Sequence, residues 1–259
     1  MDVGTSVGPV PDAVAAIERD YDHVELSVGE GEVPVDEVDD DRLCARLDAR
    51  DLDLDLVVHL PFRQPLATTV ERVDRAAHDY LADLLAWAGD VGATKAVAHV
   101  AGRRHGLDRR TMTRERVVPA VERVAAAGRE HGVEVCFENV GNVGGTPLSL
   151  VGDVLDRTDA SLCLDVGHAV AEHDTDRAVQ FVEDHADALS HLHVHDVRCR
   201  GDSHIPIGSG EVDYDAVGTA LAGVDFDGTV TVEVFTDDAD TIADSAERFV
   251  RAAGLDRTF

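Results

Sequence analysis

Short runs rich in Val, Leu and Ile alternate along the chain with longer stretches whose apolar positions recur every three or four residues. The short runs are Val3–Val7, His23–Val28, Leu54–His59, Ala96–Val100, Val133–Asn139, Ser161–Asp165, Leu189–His195 and Thr229–Phe235. They read as strands buried on both faces. The longer stretches have helical spacing, most clearly at Ala67–Val91, Thr113–His131, Asp174–Ala188 and Thr241–Ala253. Pro11, Pro119 and Pro147 fall near or early in such segments, and Gly92 and Gly132 follow their ends, as helix punctuation requires. Eight strands alternating with about eight helices in 259 residues predict a (β/α)8 TIM barrel, a single domain spanning 1–259, with its active site at the C-terminal ends of the strands. An open doubly wound sheet fits less well, because no Gly-x-Gly-x-x-Gly follows the first strand.

Charge changes the picture of the surface rather than of the fold. The formal net charge is −29, Asp outnumbers Glu by 36 to 16, and Lys95 is the only lysine. Such an excess reads as a self-repelling surface that stays dissolved at very high salt, as in halophiles. At about 1 M salt the screening length is only ~3 Å, so net charge neither requires nor forbids an anionic substrate. No apolar run approaches the ~20 residues of a membrane span. Met1–Gly4 lacks the basic and apolar stretches of a secretory signal, so a cytoplasmic protein without membrane partners is expected. Cys44, Cys136, Cys163 and Cys199 form no CxxC pair and imply neither disulfides nor a zinc knuckle. Asp51–Asp55 lacks the glycine and distal Glu of a calcium loop and reads as a strand entrance. Gly208–Gly210 reads as a turn.

The chemistry collects at the strand ends. His59 and His99 close the third and fourth runs, Glu138 the fifth, and Asp165 the sixth, with His168 one turn later. His191, His193 and His195 alternate along the seventh, and Glu233 lies near the end of the eighth. A lone histidine in such a place is usually a satisfied core residue, and a lone Glu233 could pair with an arginine. Several carboxylates converging at one mouth are tolerated only with cations. Placement on six strands therefore points to a metal site. The imidazole and carboxylate mixture suits Zn2+, Mn2+ or Co2+ better than calcium. Asp202 and His204 offer two further ligands just after the seventh run, and Glu25 is a further polar residue facing the same pocket.

From Phe137-Glu-Asn-Val140 through Leu164-Asp-Val-Gly-His-Ala169, His193-Val-His-Asp196 and Asp202–Asp213 to Thr231-Val-Glu-Val-Phe235, the chain resembles the xylose isomerase-like TIM-barrel superfamily, which includes sugar 3-epimerases and endonuclease IV. The resemblance implies a metal site of Glu138, Asp165, His193 and Glu233. His193 is chosen because the family's ligand stands three residues before an Asp, here Asp196, while His191 and His195 remain alternatives. An extended site of the endonuclease IV kind would add His59, His99, His168, Asp202 and His204, giving one to three ions per chain.

Two activities follow from the resemblance. In the first, a metal-dependent isomerase or epimerase acts on a sugar, a sugar phosphate or a related hydroxy-ketone. Glu138 and Glu233 are its catalytic pair, moving a proton through an enediolate. His168, with His59, Arg63 and Arg198, contacts the substrate. In the second, an endonuclease IV-like zinc enzyme hydrolyses the phosphodiester at abasic-site DNA, with Glu138 as a bridging ligand. Arg63, Arg103, Arg104, Arg109, Arg110, Arg198 and Arg200 follow strand ends and favour an anion at the mouth, unless neighbouring acids pair with them. Gly29–Asp41, rich in acids and without a basic residue, would repel a DNA backbone, and so favours the isomerase. A scaffold protein without activity would show gaps in the ligand set, and there are none. Assembly into homo-oligomers through exposed helices is compatible with all three readings.

Overall fold

The computed structural model describes residues 1–7, 19–29, 35, 38–48, 54–100, 109–141, 145–199 and 201–259. Eight parallel strands close into a barrel: β1 (Asp2–Val7), β2 (His23–Ser27), β3 (Asp55–His59), β4 (Ala93–His99), β5 (Glu134–Glu138), β6 (Ser161–Asp165), β7 (Leu189–Val194) and β10 (Thr229–Val232). Their order around the barrel is β1-β10-β7-β6-β5-β4-β3-β2, the single (β/α)8 TIM barrel expected from the sequence. Two strands stand apart from it. β8 (Asp196–Arg198) and β9 (Gly201–Ile205) form an antiparallel hairpin directly after β7.

Helices pack around the outside, among them α1 (Asp40–Asp48), α2 (Glu71–Asp90), α3 (Val118–Glu130), α4 (Leu148–Leu155), α5 (Val166–Glu172), α6 (Thr175–Asp184), α7 (Tyr214–Gly223) and α8 (Ala239–Ala252). The abundance of aspartate serves these helices directly. Asp165, Asp174, Asp213 and Asp238 are N-caps whose carboxylates accept from backbone N–H groups of the first turn. That placement satisfies orphan donors and complements the helix dipole. The start expected at Ala67 moves to Glu71, because the N–H and hydroxyl of Thr68 both donate to Asp74 and hold the entrance as a turn. The segment from Thr113 enters through a π-helical turn over Thr113–Val117 before α3 begins. Gly92 and Gly132 adopt φ of +85° and +75° just past their helices, which glycine allows at no steric cost. Among the described residues no helix is long and apolar enough to cross a membrane.

Strand residues alternate between two environments. One set, including Val24, Leu26, Val58, Phe137, Leu162, Leu192 and Val230, packs outward against the helices. The other points into the barrel, and there the interior is divided. Val57, Val97, Cys136 and Cys163 make a small apolar cluster on the β3–β6 side. On the β10, β7 and β2 side the interior holds Thr231, His191, His193 and Glu25, all at most 2% exposed. TIM barrels usually fill this space with branched aliphatic residues.

Gly4 leaves room for a further buried polar residue, His23, since a Cβ there would collide with its main-chain oxygen and ring. Replacing Gly4 by Ala should therefore cost about 1–3 kcal/mol of stability through overpacking. Gly223→Ala, with nothing within 4 Å of its added methyl, should be neutral or stabilising by up to ~1 kcal/mol. Thermal unfolding of the two variants beside the parent checks the contrast.

Candidate metal centre

Strand register sets the mouth. His99 pairs with Glu138 across β4 and β5, and Asp165 pairs with His193 across β6 and β7. Asp165 ends β6 and also caps α5, accepting from the backbone N–H of His168 at 2.6 Å, so strand end and helix start bring both side chains to one side. Asn139 ties β5 to β6 reciprocally: its amide donates to the Asp165 carbonyl and its Oδ1 accepts from the Asp165 N–H, both at 2.9 Å. The β8–β9 hairpin carries Asp202 and His204 over the mouth. Its base is held by buried Asp196, whose carboxylate accepts from the N–H groups of Val197, Gly208, Gly210 and Val212. His204 sits at φ +39°, in the left-handed region, a strained conformation for a residue with a side chain. The Glu233 N–H donates to the Val194 carbonyl at 3.1 Å, fixing the last strand end.

These elements bring nine side chains into one chain of close contacts. Glu138 Oε2 lies 2.8 Å from His99 Nε2 and 3.4 Å from His59 Nε2. Its Oε1 lies 3.3 Å from His193 Nδ1 and 3.6 Å from His168 Nδ1. His168 Nδ1 is also 3.2 Å from Asp165 Oδ2, and its Nε2 is 3.3 Å from Asp202 Oδ1. His204 Nε2 is 2.8 Å from Asp202 Oδ1, while Glu233 Oε2 lies 3.5 Å from both His193 Nδ1 and His204 Nδ1. Among the groups whose donor atoms lie within 4.8 Å of one another, three overlap along the mouth: His59, His99 and Glu138; Glu138, Asp165 and His168; and His168, His195, Asp202 and His204.

Donor chemistry and hydrogen bonding both suit divalent cations. His59 and His204 each place Nδ1 2.9 Å from a main-chain oxygen, of Leu60 and Glu233. Each turns Nε2 toward a carboxylate. A ligating histidine typically commits its other ring nitrogen in this way. Glu138 Oε2, His168 Nε2 and His193 Nδ1 are buried atoms that no hydrogen bond satisfies. Buried polar groups are rarely left so, and all three lie among the imidazoles and carboxylates of the cluster.

Electrostatics describe how the cluster balances its own charge. Burial opposes ionisation of Glu138, yet the imidazoles of His99, His193 and His168 beside it hold it well below the usual carboxylate range. Burial also opposes charge on His168, but Asp165, Asp202 and Glu138 push it up to about 12. Asp202 is lowered by the imidazoles of His168 and His204 beside it. Imidazolium ions thus neutralise the carboxylates where a metal ion otherwise would.

Of the residues singled out in the sequence, His59, His99, Glu138, Asp165, His168, His193, Asp202, His204 and Glu233 come together. His195 joins them, its Nε2 3.1 Å from Asp165 Oδ1 and its ring stacked on His204, whereas His191 lies below the mouth against Glu25 and Thr229. Arg63 and Arg198 stand outside this set of contacts. Arg63 lies over the Phe62 ring at 5.8 Å, and the Arg198 guanidinium donates to the Ser209 carbonyl. Arg103, Arg104 and Arg200, the side chains of Arg109 and Arg110, and most of Gly29–Asp41 lie outside the described residues. Phe62 and Phe235 stand exposed at the rim, Phe235 stacked on His204 with centroids 3.9 Å apart. Asn139, Thr229 and Lys95 escaped the sequence reading. The inward period of His23, Glu25 and of Thr229, Thr231, Glu233 was the available signal.

Fold and mouth together define a (β/α)8 barrel of the kind that gathers imidazoles and carboxylates on successive strand ends. The chain belongs to the xylose isomerase-like TIM barrel family, which it matches over residues 12–253. It is similar to an uncharacterized protein of Methanocaldococcus jannaschii, 25% identical over 196 residues covering 70% of this chain and 64% of that one. This chain thus spans less than two thirds of that relative's length. Among solved structures, a D-tagatose 3-epimerase-like protein superposes with a TM-score of 0.84 at 21% identity, covering 98% of both chains. D-Allulose 3-epimerase from Methylomonas sp. superposes at 0.76 with 18% identity and 98% of both chains. The IolI protein with a bound zinc atom superposes at 0.79 with 15% identity and 98% of both. At these identities the likeness is one of fold.

Below the mouth, burial pushes the His23 pKa from 6.5 down to about 3. The unfolded chain therefore binds a proton at His23 that the folded one refuses, and stability falls as pH drops through 6.5 toward 3. Urea midpoints of the metal-free protein at pH 7 and 4.5 should differ by less in His23→Asn than in the parent.

Proposed function

We propose that the protein is a metal-dependent isomerase or epimerase of a sugar, a sugar phosphate or a related hydroxy-ketone. The observation that carries this reading is the approach of two carboxylates to one nitrogen: Glu138 Oε1 at 3.3 Å and Glu233 Oε2 at 3.5 Å from His193 Nδ1. They come from β5 and from the end of β10, which β6 and β7 separate around the barrel. A substrate carbon between them would have one carboxylate on each side. The names of the solved relatives, D-tagatose 3-epimerase-like protein and D-allulose 3-epimerase, support the same substrate class.

Glu138, Asp165, His193 and Glu233 would hold a divalent cation, and His59, His99, His168, Asp202 and His204 provide donors for up to two more. A cation bound there, Mn2+, Zn2+ or Co2+, draws electrons from a carbonyl and the neighbouring hydroxyl and acidifies the C–H between them. One glutamate removes that proton, leaving an enediolate, and the other, protonated, returns a proton from the opposite side. His168, beside Asp165 and Asp202, would donate to a substrate oxygen. Phe62 and Phe235 give the rim apolar faces.

One observation favours a second reading. His168, Asp202 and His204 converge as a third donor group, as an endonuclease IV-like hydrolase of abasic-site DNA would use. The measurement that separates the two is run in molar KCl, suited to a chain of net charge −29. Solvent deuterium should enter ketoses or their phosphates at carbon, and chelation of the metal should abolish it. Glu138→Gln and Glu233→Gln should each slow exchange by roughly 10²–10⁴-fold, the usual worth of a general acid or base. Metal-dependent incision of an abasic duplex, lost in Glu138→Gln, with no exchange into any ketose, would replace the isomerase reading with the hydrolase.

A further inference from the structure

Beneath the mouth the barrel axis holds a column of hydrogen bonds that the proposed reaction does not use. Lys95 enters from the N-terminal end of β4 and donates to the Ser190 carbonyl and hydroxyl, both at 2.8 Å, and to Thr229 Oγ1 at 3.2 Å. An ammonium group only donates, so the Thr229 hydroxyl proton is free to turn to His191 Nδ1, 2.6 Å away. That leaves the proton of His191 on Nε2, which donates to Glu25 Oε2 at 3.1 Å. The Thr231 hydroxyl gives Glu25 a second bond at 2.6 Å, and itself meets His23 Nε2 at 3.0 Å. His193 Nε2 reaches both Glu25 oxygens, at 3.0 and 3.1 Å.

Donation converges on Glu25 from both ends of the column. Every partner of Glu25 donates, and a carboxylate can only accept, so His193 must carry its proton on Nε2. Its Nδ1, the unsatisfied buried atom, then faces Glu138 and Glu233. His193 is oriented oppositely to His59 and His204, which anchor Nδ1 on main-chain oxygens and present Nε2. Among the described residues no main-chain oxygen partners the His193 ring, and a buried carboxylate takes that place.

We propose that Glu25 is a positioning residue: by fixing the Nε2 proton and the ring of His193, it commits His193 Nδ1 to the reaction centre, with His191, Thr229, Thr231 and Lys95 holding Glu25 in turn. This inference rests on the metal-dependent reading above for its benefit to the enzyme, but its geometry does not. It also separates the two histidines of β7: His193 presents a nitrogen to the centre, and His191 is a structural link.

The test reads nitrogen state and metal affinity rather than turnover. In protein carrying ¹⁵N-labelled histidine, with His193→Gln to assign the signal, His193 should keep a proton on Nε2 in the metal-free state. On loading with Zn2+ it should show Nδ1 coordinated, with Nε2 coordinated in His59 and His204. Glu25→Gln preserves size but supplies an amide that donates as well as accepts. It should release the Nε2 proton to exchange and weaken Zn2+ binding, measured by chelator competition, by about 10–100-fold, as loss of a carboxylate behind a ligating histidine does. A neutral His193 protonated on Nδ1 in the parent protein would overturn the proposal with no variant needed. So would a folded Glu25→Gln protein with the parent's Zn2+ affinity and His193 signal. If the parent binds no divalent cation, the metal-dependent reading fails by itself, and the metal-free spectrum still decides the role of Glu25.

Discussion

Taking carboxylates out of water is the constraint around which this barrel is organised. Glu25, Glu138 and Asp165 are each at most 2% exposed, and an isolated buried carboxylate costs several kcal/mol even after relaxation. None of the three is isolated. Each is ringed by imidazoles and hydroxyls that supply hydrogen bonds or positive charge, and those groups need partners of their own. The chain of obligations runs outward to main-chain oxygens at Leu60 and Glu233 and inward to Lys95. Rotating one ring would strand several groups at once, so the site is stiff without any bulky packing at its centre.

That stiffness has a division of labour. Strand register delivers Glu138, Asp165 and His193 at nearly one level, a result of backbone pairing alone. The remaining donors arrive by local devices: an N-cap that also presents a carboxylate, a helix that begins at once so that His168 lies one turn on, and a hairpin whose base is pinned by Asp196. Asp165 serves strand, helix and cluster together, and Asn139 locks it to β5 by two hydrogen bonds that a β-ladder would otherwise supply. The strain at His204 fits this scheme, since its ring stands between Asp202 and Glu233.

Much of this was legible from the order of residues. Alternation of apolar strands with helical spacing marks the barrel, and titratable residues at successive strand ends mark the mouth, because both depend on short-range periodicity. What periodicity does not encode is partner choice across the barrel. Glu25 is visible as an inward-facing acid, but its contacts with His191 and His193 span 166 and 168 residues of sequence. Lys95 looks like any strand-entrance lysine until Ser190 and Thr229 stand beside it. The β8–β9 hairpin hides in a stretch of Arg, Cys, Gly and Asp that reads as loop, since its turn places Cys199 at φ +58° where glycine is usual. Arg198 shows the converse: it follows a strand end as a substrate-binding residue would, yet the fold of its own loop supplies a carbonyl partner.

The split interior also shapes how such a sequence can drift. On the side of Val57 and Val97, neighbours ask only for volume, so aliphatic exchanges there proceed one at a time with modest loss. On the side of His23, Glu25, His191, Thr229 and Thr231, each residue answers to the donor or acceptor character of the next, and a single replacement leaves its neighbour unsatisfied. One wall of the barrel is free to be rewritten letter by letter, while the other changes only by whole words. Lineages that keep the reaction should differ freely along the first wall and carry linked replacements along the second.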